Sequence, residues 1–220
     1  MLRNVDLKEI SDGKLYTAND MVKAGCGTCQ GCSSCCETMA DTIVLDPLDV
    51  FWMSSWLGYT FEQLLTDHIE LKVVDGMILP HIKINGLPAR CSFLNEAGLC
   101  DIHEARPGFC RLFPLGRYYE DGGFQYFLQT RECKKTNRTK VKIRKWIDTP
   151  DFDKYEAFVR DWHYYLKDFQ AQIRSCEQGL AFAKHVNMFI LETFYQKAFD
   201  KNMDFYEQFY ARLLSGRQNV

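Results

Sequence analysis

Residues 26–36 read CGTCQGCSSCC and place Cys26, Cys29, Cys32, Cys35 and Cys36 within one short stretch. Thiols at this density constrain the fold more than any other feature of the chain. A buried cysteine can serve as a small hydrophobe. A core position would favour Val, Leu or Ala, however, and the residues between these thiols are Gly, Thr, Gln and Ser. Turn formers between sulfurs describe a chelating loop. Successive C-x-x-C pairs let one turn of backbone aim two sulfurs at a common point, the local geometry of tetrahedral zinc sites and of iron–sulfur clusters.

A second thiol group follows in CSFLNEAGLCDIHEARPGFCRLFPLGRYY, with Cys91, Cys100 and Cys110 at spacings of nine and ten, and Cys133 lies beyond it. No single helix or strand brings residues so spaced to one site, so loops must converge. The 220 residues include ten cysteines. The N-terminus, MLRNVDLKEISDGK, carries charges where a secretory signal needs an apolar run, and no uncharged stretch is long enough to span a bilayer. These features predict a soluble cytoplasmic protein without a membrane partner. In that reducing compartment clustered cysteines serve as metal ligands or redox groups rather than as a disulfide framework. The net charge of −2 gives no global reason to expect nucleic acid as a partner.

Nearly half the residues are apolar, enough for an ordinary core. Extended chain is expected at 14–16 and a helical turn at 18–23. Asp46-Pro47 signals a helix start, with Asp46 as N-cap and an end near Gly58. Thr60 caps a second helix, with Glu62 and Gln63 near the capping-box position. Asp75-Gly76 marks a tight hairpin turn between 71–74 and 77–84, a small sheet beneath the metal loop. Asn85-Gly86 reverses the chain toward Cys91, and Asp121-Gly122-Gly123 turns a hairpin over 118–128 that returns Cys133 toward Cys110. KVKIRKWI predicts a short helix. A run from Asp151 repeats Phe152, Tyr155, Phe158, Trp162, Tyr165 and Phe169 at helical spacing, the signature of a buried stripe. Further helices are expected over 177–199 and from about residue 202 to the end.

The elements CQGCSSCC and CSFLNEAGLCDIHEARPGFCRLFP resemble the YkgJ-like cysteine-cluster family, a zinc- or iron-chelating domain whose pattern is C-x-x-C-x-x-C-C, C-x-F-L, C-x-I-[HY], R-P-x-x-C-R and F-P. The resemblance links the chain distantly to flagellin lysine N-methylases, which carry a similar cysteine pattern. It implies metal ligation by Cys29, Cys32, Cys35, Cys36, Cys91, Cys100, Cys110 and Cys133. It assigns nothing to Cys26 or Cys176.

Eight thiolates suit two tetrahedral sites or one site with spares. Adjacent Cys35 and Cys36 point apart along a regular backbone, which favours dividing them between two sites. Spacing does not choose between a 4Fe–4S cluster and Zn2+. The apolar neighbours Phe93, Leu94, Phe109 and Phe113 favour the cluster by drying its surroundings. Arg106 and Arg111 flank the second group as charges that stabilise thiolates without ligating, and His103 reads as a structural hydrogen-bonder. The basic stretch 134–145 reads as a solvated face. It and the C-terminal helices are the places where a protein partner would dock.

No P-loop, G-x-G-x-x-G or G-x-S-x-G is present. The leading reading is therefore an iron–sulfur protein acting as an accessory, redox or sensor factor. A structural zinc protein and a protein-modifying enzyme related to the lysine N-methylases stand as alternatives. The expected fold is α+β, with a cysteine-rich metal-binding core of short hairpins and two helices over 1–138 and a helical annex over 139–220.

Overall fold

A computed structural model describes residues 6–25, 32–87, 89–135, 137–176 and 179–219. The fold is α+β. In chain order the elements are α1 (Leu7–Ile10), β1 (Met21–Gly25), α2 (Ser34–Thr38), a 3-10 turn (Ala40–Thr42), α3 (Pro47–Leu57), α4 (Phe61–Asp67), β2 (Ile69–Val74), β3 (Met77–Ile82), β4 (Ile84–Asn85) and β5 (Arg90–Cys91). A second 3-10 turn (His103–Ala105) leads to α5 (Gly108–Leu112), β6 (Leu115–Glu120), β7 (Gly123–Leu128), β8 (Thr139–Lys142) and α6 (Ile143–Ile147). The chain ends in α7 (Phe152–Ser175), α8 (Gly179–Leu191) with a π-helical continuation (Glu192–Gln196), and α9 (Phe205–Asn219). The strands form two-stranded antiparallel pairs, β1 with β8, β2 with β3, β4 with β5 and β6 with β7.

The helix starts follow their capping residues. Asp46 Oδ1 accepts from the Asp49 N–H at 2.9 Å, Asp49 Oδ2 accepts from the Asp46 N–H at 3.1 Å, and Gly58 ends α3 at φ +70°. Thr60 and Gln63 make the same reciprocal box at the start of α4. Two hairpins turn on residue pairs with positive φ, Asp75-Gly76 at +51° and +85° and Asp121-Gly122 at +50° and +74°. Such turns match the right-handed twist of the flanking strands.

Three expectations need correction. Residues 21–25 form a strand rather than part of a helical turn, because Val22 and Ala24 are buried while Met21 and Lys23 face solvent, a period of two. Residues 139–142 are its partner strand, so the predicted helix begins only at Ile143. Glu177 and Gln178 lie outside the described residues, and the helix expected over 177–199 runs from Gly179 to Gln196 with a π-helical last turn.

The stripe on α7 buries Tyr155, Phe158, Trp162, Tyr165 and Phe169. Phe158 meets Phe209 of α9 at 4.7 Å between ring centroids, and Trp162 meets Phe194 at 5.0 Å. Edge-to-face and tilted rings at these separations join the last helices into one aromatic core. Two polar ties fix that core to the rest. Tyr195 Oη donates to the Leu45 carbonyl at 3.0 Å, just before α3. Asn187 of α8 accepts from the Ile78 N–H at 2.6 Å and donates to the Gly76 carbonyl at 3.1 Å. The β2–β3 hairpin therefore lies against α8.

Candidate metal centre

The thiols of the first group that fall among the described residues sit on or beside α2. Cys32 is two residues ahead of the helix, and Cys35 and Cys36 are in it, all three half-buried. Cys29 and Cys26 lie outside the described residues. Cys35 and Cys36 are adjacent on α2 and near enough to act on one another. Successive helical residues stand about 100° apart, close enough for neighbouring sulfurs to meet, whereas strand neighbours oppose. A hydrogen bond from Cys36, with backbone N–H donors and the charge of Arg106, pulls the Cys35 thiol down to about 6 against the effect of burial. The same bond and burial push the Cys36 thiol up.

α2 packs against β5, which ends in Cys91. From there the chain makes a small closed loop. The Leu94 N–H donates to the Cys91 carbonyl at 3.0 Å, and Asn95 Oδ1 accepts from the N–H groups of Ala97 and Leu99, each at 3.0 Å. A bridge between Leu94 and Cys100 closes the loop, with Gly98 at φ +73° in its turn. Asn95 thus satisfies the backbone of the turn that returns Cys100 toward Cys91. Burial pushes the Cys91 thiol up to about 11 and raises that of Cys100.

Cys110 is on α5, and two buried groups hold that short helix in place. Asp49 Oδ1 accepts from the Gly108 N–H at 2.7 Å while its other oxygen completes the α3 capping box. Only glycine fits at 108, since a Cβ there would stand 2.6 Å from Tyr155 Oη. Arg111, 8% exposed, sends Nε to the Arg106 carbonyl at 3.1 Å, Nη1 to the Asp148 carbonyl at 2.9 Å and Nη2 to the Glu104 carbonyl. Its guanidinium also lies 5.1 Å from the centre of the Trp52 ring. Arg111 therefore clamps the 104–106 segment to the end of α6.

Arg106 has the electrostatic part, because its charge acts on both Cys35 and Cys100. Its Nη1 contacts His103 Nδ1 at 3.0 Å, which gives His103 a hydrogen-bonded partner in the loop. Burial raises the Cys110 thiol, and the charges of Cys91, Cys35, Asp49 and Cys100 add to the rise. Cys110 also retains exposed surface.

Cys35, Cys36, Cys91, Cys100 and Cys110, from three segments distant in sequence, thus lie near enough to act on one another's charge. Cys133 is half-buried on the loop between β7 and β8, and Cys176 is exposed at the end of α7. Among the described residues no group of three His, Cys, Asp or Glu side chains is closed enough to hold a metal ion. The expected dry surroundings are present in part. Phe93 is buried and stacks on His68 with ring centres 4.2 Å apart, and Leu94 is buried, but Phe109 is exposed. Arg138 belongs to the basic stretch expected as a solvated face, yet part of its side chain is buried. Arg138 Nη1 is buried with no hydrogen-bond partner, next to Thr139, which faces Gly25 at the root of the thiol loop. The thiols gathered here are the donor type that zinc and iron–sulfur clusters take.

The model of the CxxCxxCC family, described as "Putative zinc- or iron-chelating domain", matches residues 28–141, just over half of the chain. The chain belongs to this family. The matched segment contains every thiol from Cys29 to Cys133 together with Arg106, Arg111 and Arg138. The family description supports metal chelation here and names zinc or iron without choosing between them. No curated protein and no solved structure matches the chain. The likeness to lysine N-methylases therefore rests on the cysteine pattern alone. Among the described residues no helix is long and apolar enough to cross a membrane.

Proposed function

We propose that this chain holds an iron–sulfur cluster of the 4Fe–4S type on its clustered cysteines and serves as an accessory, redox or sensor factor. The observation that carries the reading is the approach of Cys35, Cys36, Cys91, Cys100 and Cys110 from three segments, with the charge of Arg106 acting on two of them. Ligands are drawn from Cys29, Cys32, Cys35, Cys36, Cys91, Cys100, Cys110 and Cys133. When bound, the cluster supplies one-electron chemistry at a potential set by its surroundings. The protein's own part is to hold the sulfurs. α2 carries Cys35 and Cys36, the Asn95 loop returns Cys100 toward Cys91, and Asp49 and Arg111 hold α5, which carries Cys110. Arg106 stabilises negative charge on sulfur, and buried Phe93 and Leu94 keep water from one side.

In this reading residues 1–138 form the chelating unit and residues 139–220, helical beyond β8, the frame against which it is held. Purification without oxygen, followed by absorbance and analysis for iron, acid-labile sulfide and zinc, tests the proposal. Iron with sulfide is expected. Cys32→Ser and Cys110→Ser should lose the cluster and melt at lower temperature, while Cys176→Ser keeps both, because chelation supplies folding free energy to a loop-rich region. Colourless protein with stoichiometric zinc overturns the cluster in favour of a structural zinc site. Protein with neither metal overturns chelation itself.

A further inference from the structure

Pairing β1 with β8 creates a surface that neither strand has alone. Met21 faces Lys142 and Val22 faces Val141, and then Lys23 and Ala24 together stand opposite Lys140 before Gly25 meets Thr139. The extra residue is a β-bulge. Bulges re-aim side chains and recur next to functional sites. Here the bulge keeps Lys23 outward while Ala24 and Gly25 turn inward. Lys23, Lys140 and Lys142 are exposed on one face of the ribbon, with exposed Lys134 and Lys135 on the approach to β8 and exposed Lys145 just beyond it. Among the described residues the ion pairs lie elsewhere, joining Lys72 to Glu70, His103 to Glu104, Arg144 to Asp153, Lys154 to Asp204 and Arg160 to Asp161. Like charges on facing strands cost stability. The ribbon bears that cost in a chain whose net charge is −2.

We propose that this lysine face docks a carboxylate-rich segment of a partner protein beside the metal centre. The charge of the face selects an anionic partner. Nucleic acid fits less well, because single-strand binding relies on aromatic platforms and on free arginines. Among the described residues the face offers only Met21 as an exposed apolar side chain, Arg144 is paired with Asp153, and Arg138 turns a nitrogen inward. The position gives the contact its meaning. Gly25 immediately precedes the thiol loop and Lys134 immediately follows Cys133, so a bound partner stands over the root of the centre. Contacts of this kind are weak and salt-sensitive, as exchange of an electron or a metal ion between proteins requires. The inference holds for iron and for zinc alike. The competing explanation is that the lysines only blunt exposed strand edges against self-association.

Fluorescence anisotropy with a labelled glutamate homopolymer, and with a single-stranded oligonucleotide of equal charge, separates these readings when run at several salt concentrations. The full chain should bind the glutamate polymer, more weakly as salt screens the contact. The triple variant Lys23→Gln/Lys140→Gln/Lys142→Gln should bind about tenfold more weakly, the change that 1.4 kcal/mol produces. Its metal content should be unchanged and its melting temperature unchanged or higher. The control Lys8→Gln/Lys14→Gln/Lys201→Gln, which removes equal charge elsewhere, should bind as the wild type does. Equal loss in both triple variants, tighter binding of the oligonucleotide than of the glutamate polymer, or a strip variant that self-associates while binding normally would each overturn the proposal.

Discussion

Replacing Arg111 with Met removes the clamp that places Cys110, and the geometry sets the size of the effect. The guanidinium donates to the Arg106, Asp148 and Glu104 carbonyls and sits 5.1 Å from the Trp52 ring centre. Hydrogen bonds from a charged donor contribute roughly 1.5–3 kcal/mol each, and a partly desolvated cation–π contact about 1–2 kcal/mol. Against that sum, the variant no longer buries a charge, which offsets several kcal/mol. The net loss is therefore about 3 kcal/mol, a large share of the roughly 5–15 kcal/mol that stabilises a domain. In urea unfolding of metal-free, reduced protein, with a slope near 2 kcal/mol per molar, the midpoint should fall by about 1–2 M. Arg111→Lys should fall nearly as far, because one ammonium cannot span carbonyls on two segments. Arg106→Gln should stay within about 1 kcal/mol of the wild type, since its contact is with His103 and its charge acts on thiols. A wild-type midpoint for Arg111→Met, or a larger loss for Arg106→Gln, would refute the division of roles between the two arginines.

Gly25→Ala should weaken the β1–β8 pair, because the new Cβ would stand 2.6 Å from Thr139 Oγ1 and 3.2 Å from its carbonyl oxygen. Overpacking of this kind costs about 1–3 kcal/mol. Thr139→Ala in the same chain should restore part of the melting temperature, and no recovery would show that the hydroxyl contact is not the cause. His163 stacks on Tyr119 with ring centres 3.5 Å apart, and burial, with the charges of Lys167 and Arg117, lowers its pKa from 6.5 to about 4. Between those values the unfolded chain binds the proton more readily. The stability His163 contributes is thus fully present above pH 6.5 and is lost as pH falls toward 4, by less than the shift alone would give, because the ring is only half-buried and solvent screens it. Melting curves over that range should fall less steeply for His163→Gln than for the wild type, and equal slopes would contradict the assignment.

What the sequence determined by itself was local. Asp46-Pro47 with Gly58, and Thr60 with Gln63, bound two helices through contacts three residues long, and Asp75-Gly76 and Asp121-Gly122 close hairpins for the same short-range reason. The aromatic repeat from Phe152 to Phe169 announces one buried helical face whatever packs on it. The thiol spacing likewise declares chelation before any folding. Tertiary structure decided everything that needed a distant partner. β1 and β8 are strands only because each completes the other's hydrogen bonds across more than a hundred residues of chain. Nothing in the sequence singles out Asp49 until Gly108 arrives at its oxygen, and Arg111 reads as a charge beside a cysteine until the fold turns it onto three carbonyls. Cys35 and Cys36 act on one another because α2 is a helix, and Phe109, apolar in sequence, was left in solvent by the orientation of α5. The physical reason is common to all of these. A cap or a turn is stabilised by atoms a few bonds away, whereas the direction of a side chain across a site is set by whichever surface the rest of the chain brings to meet it.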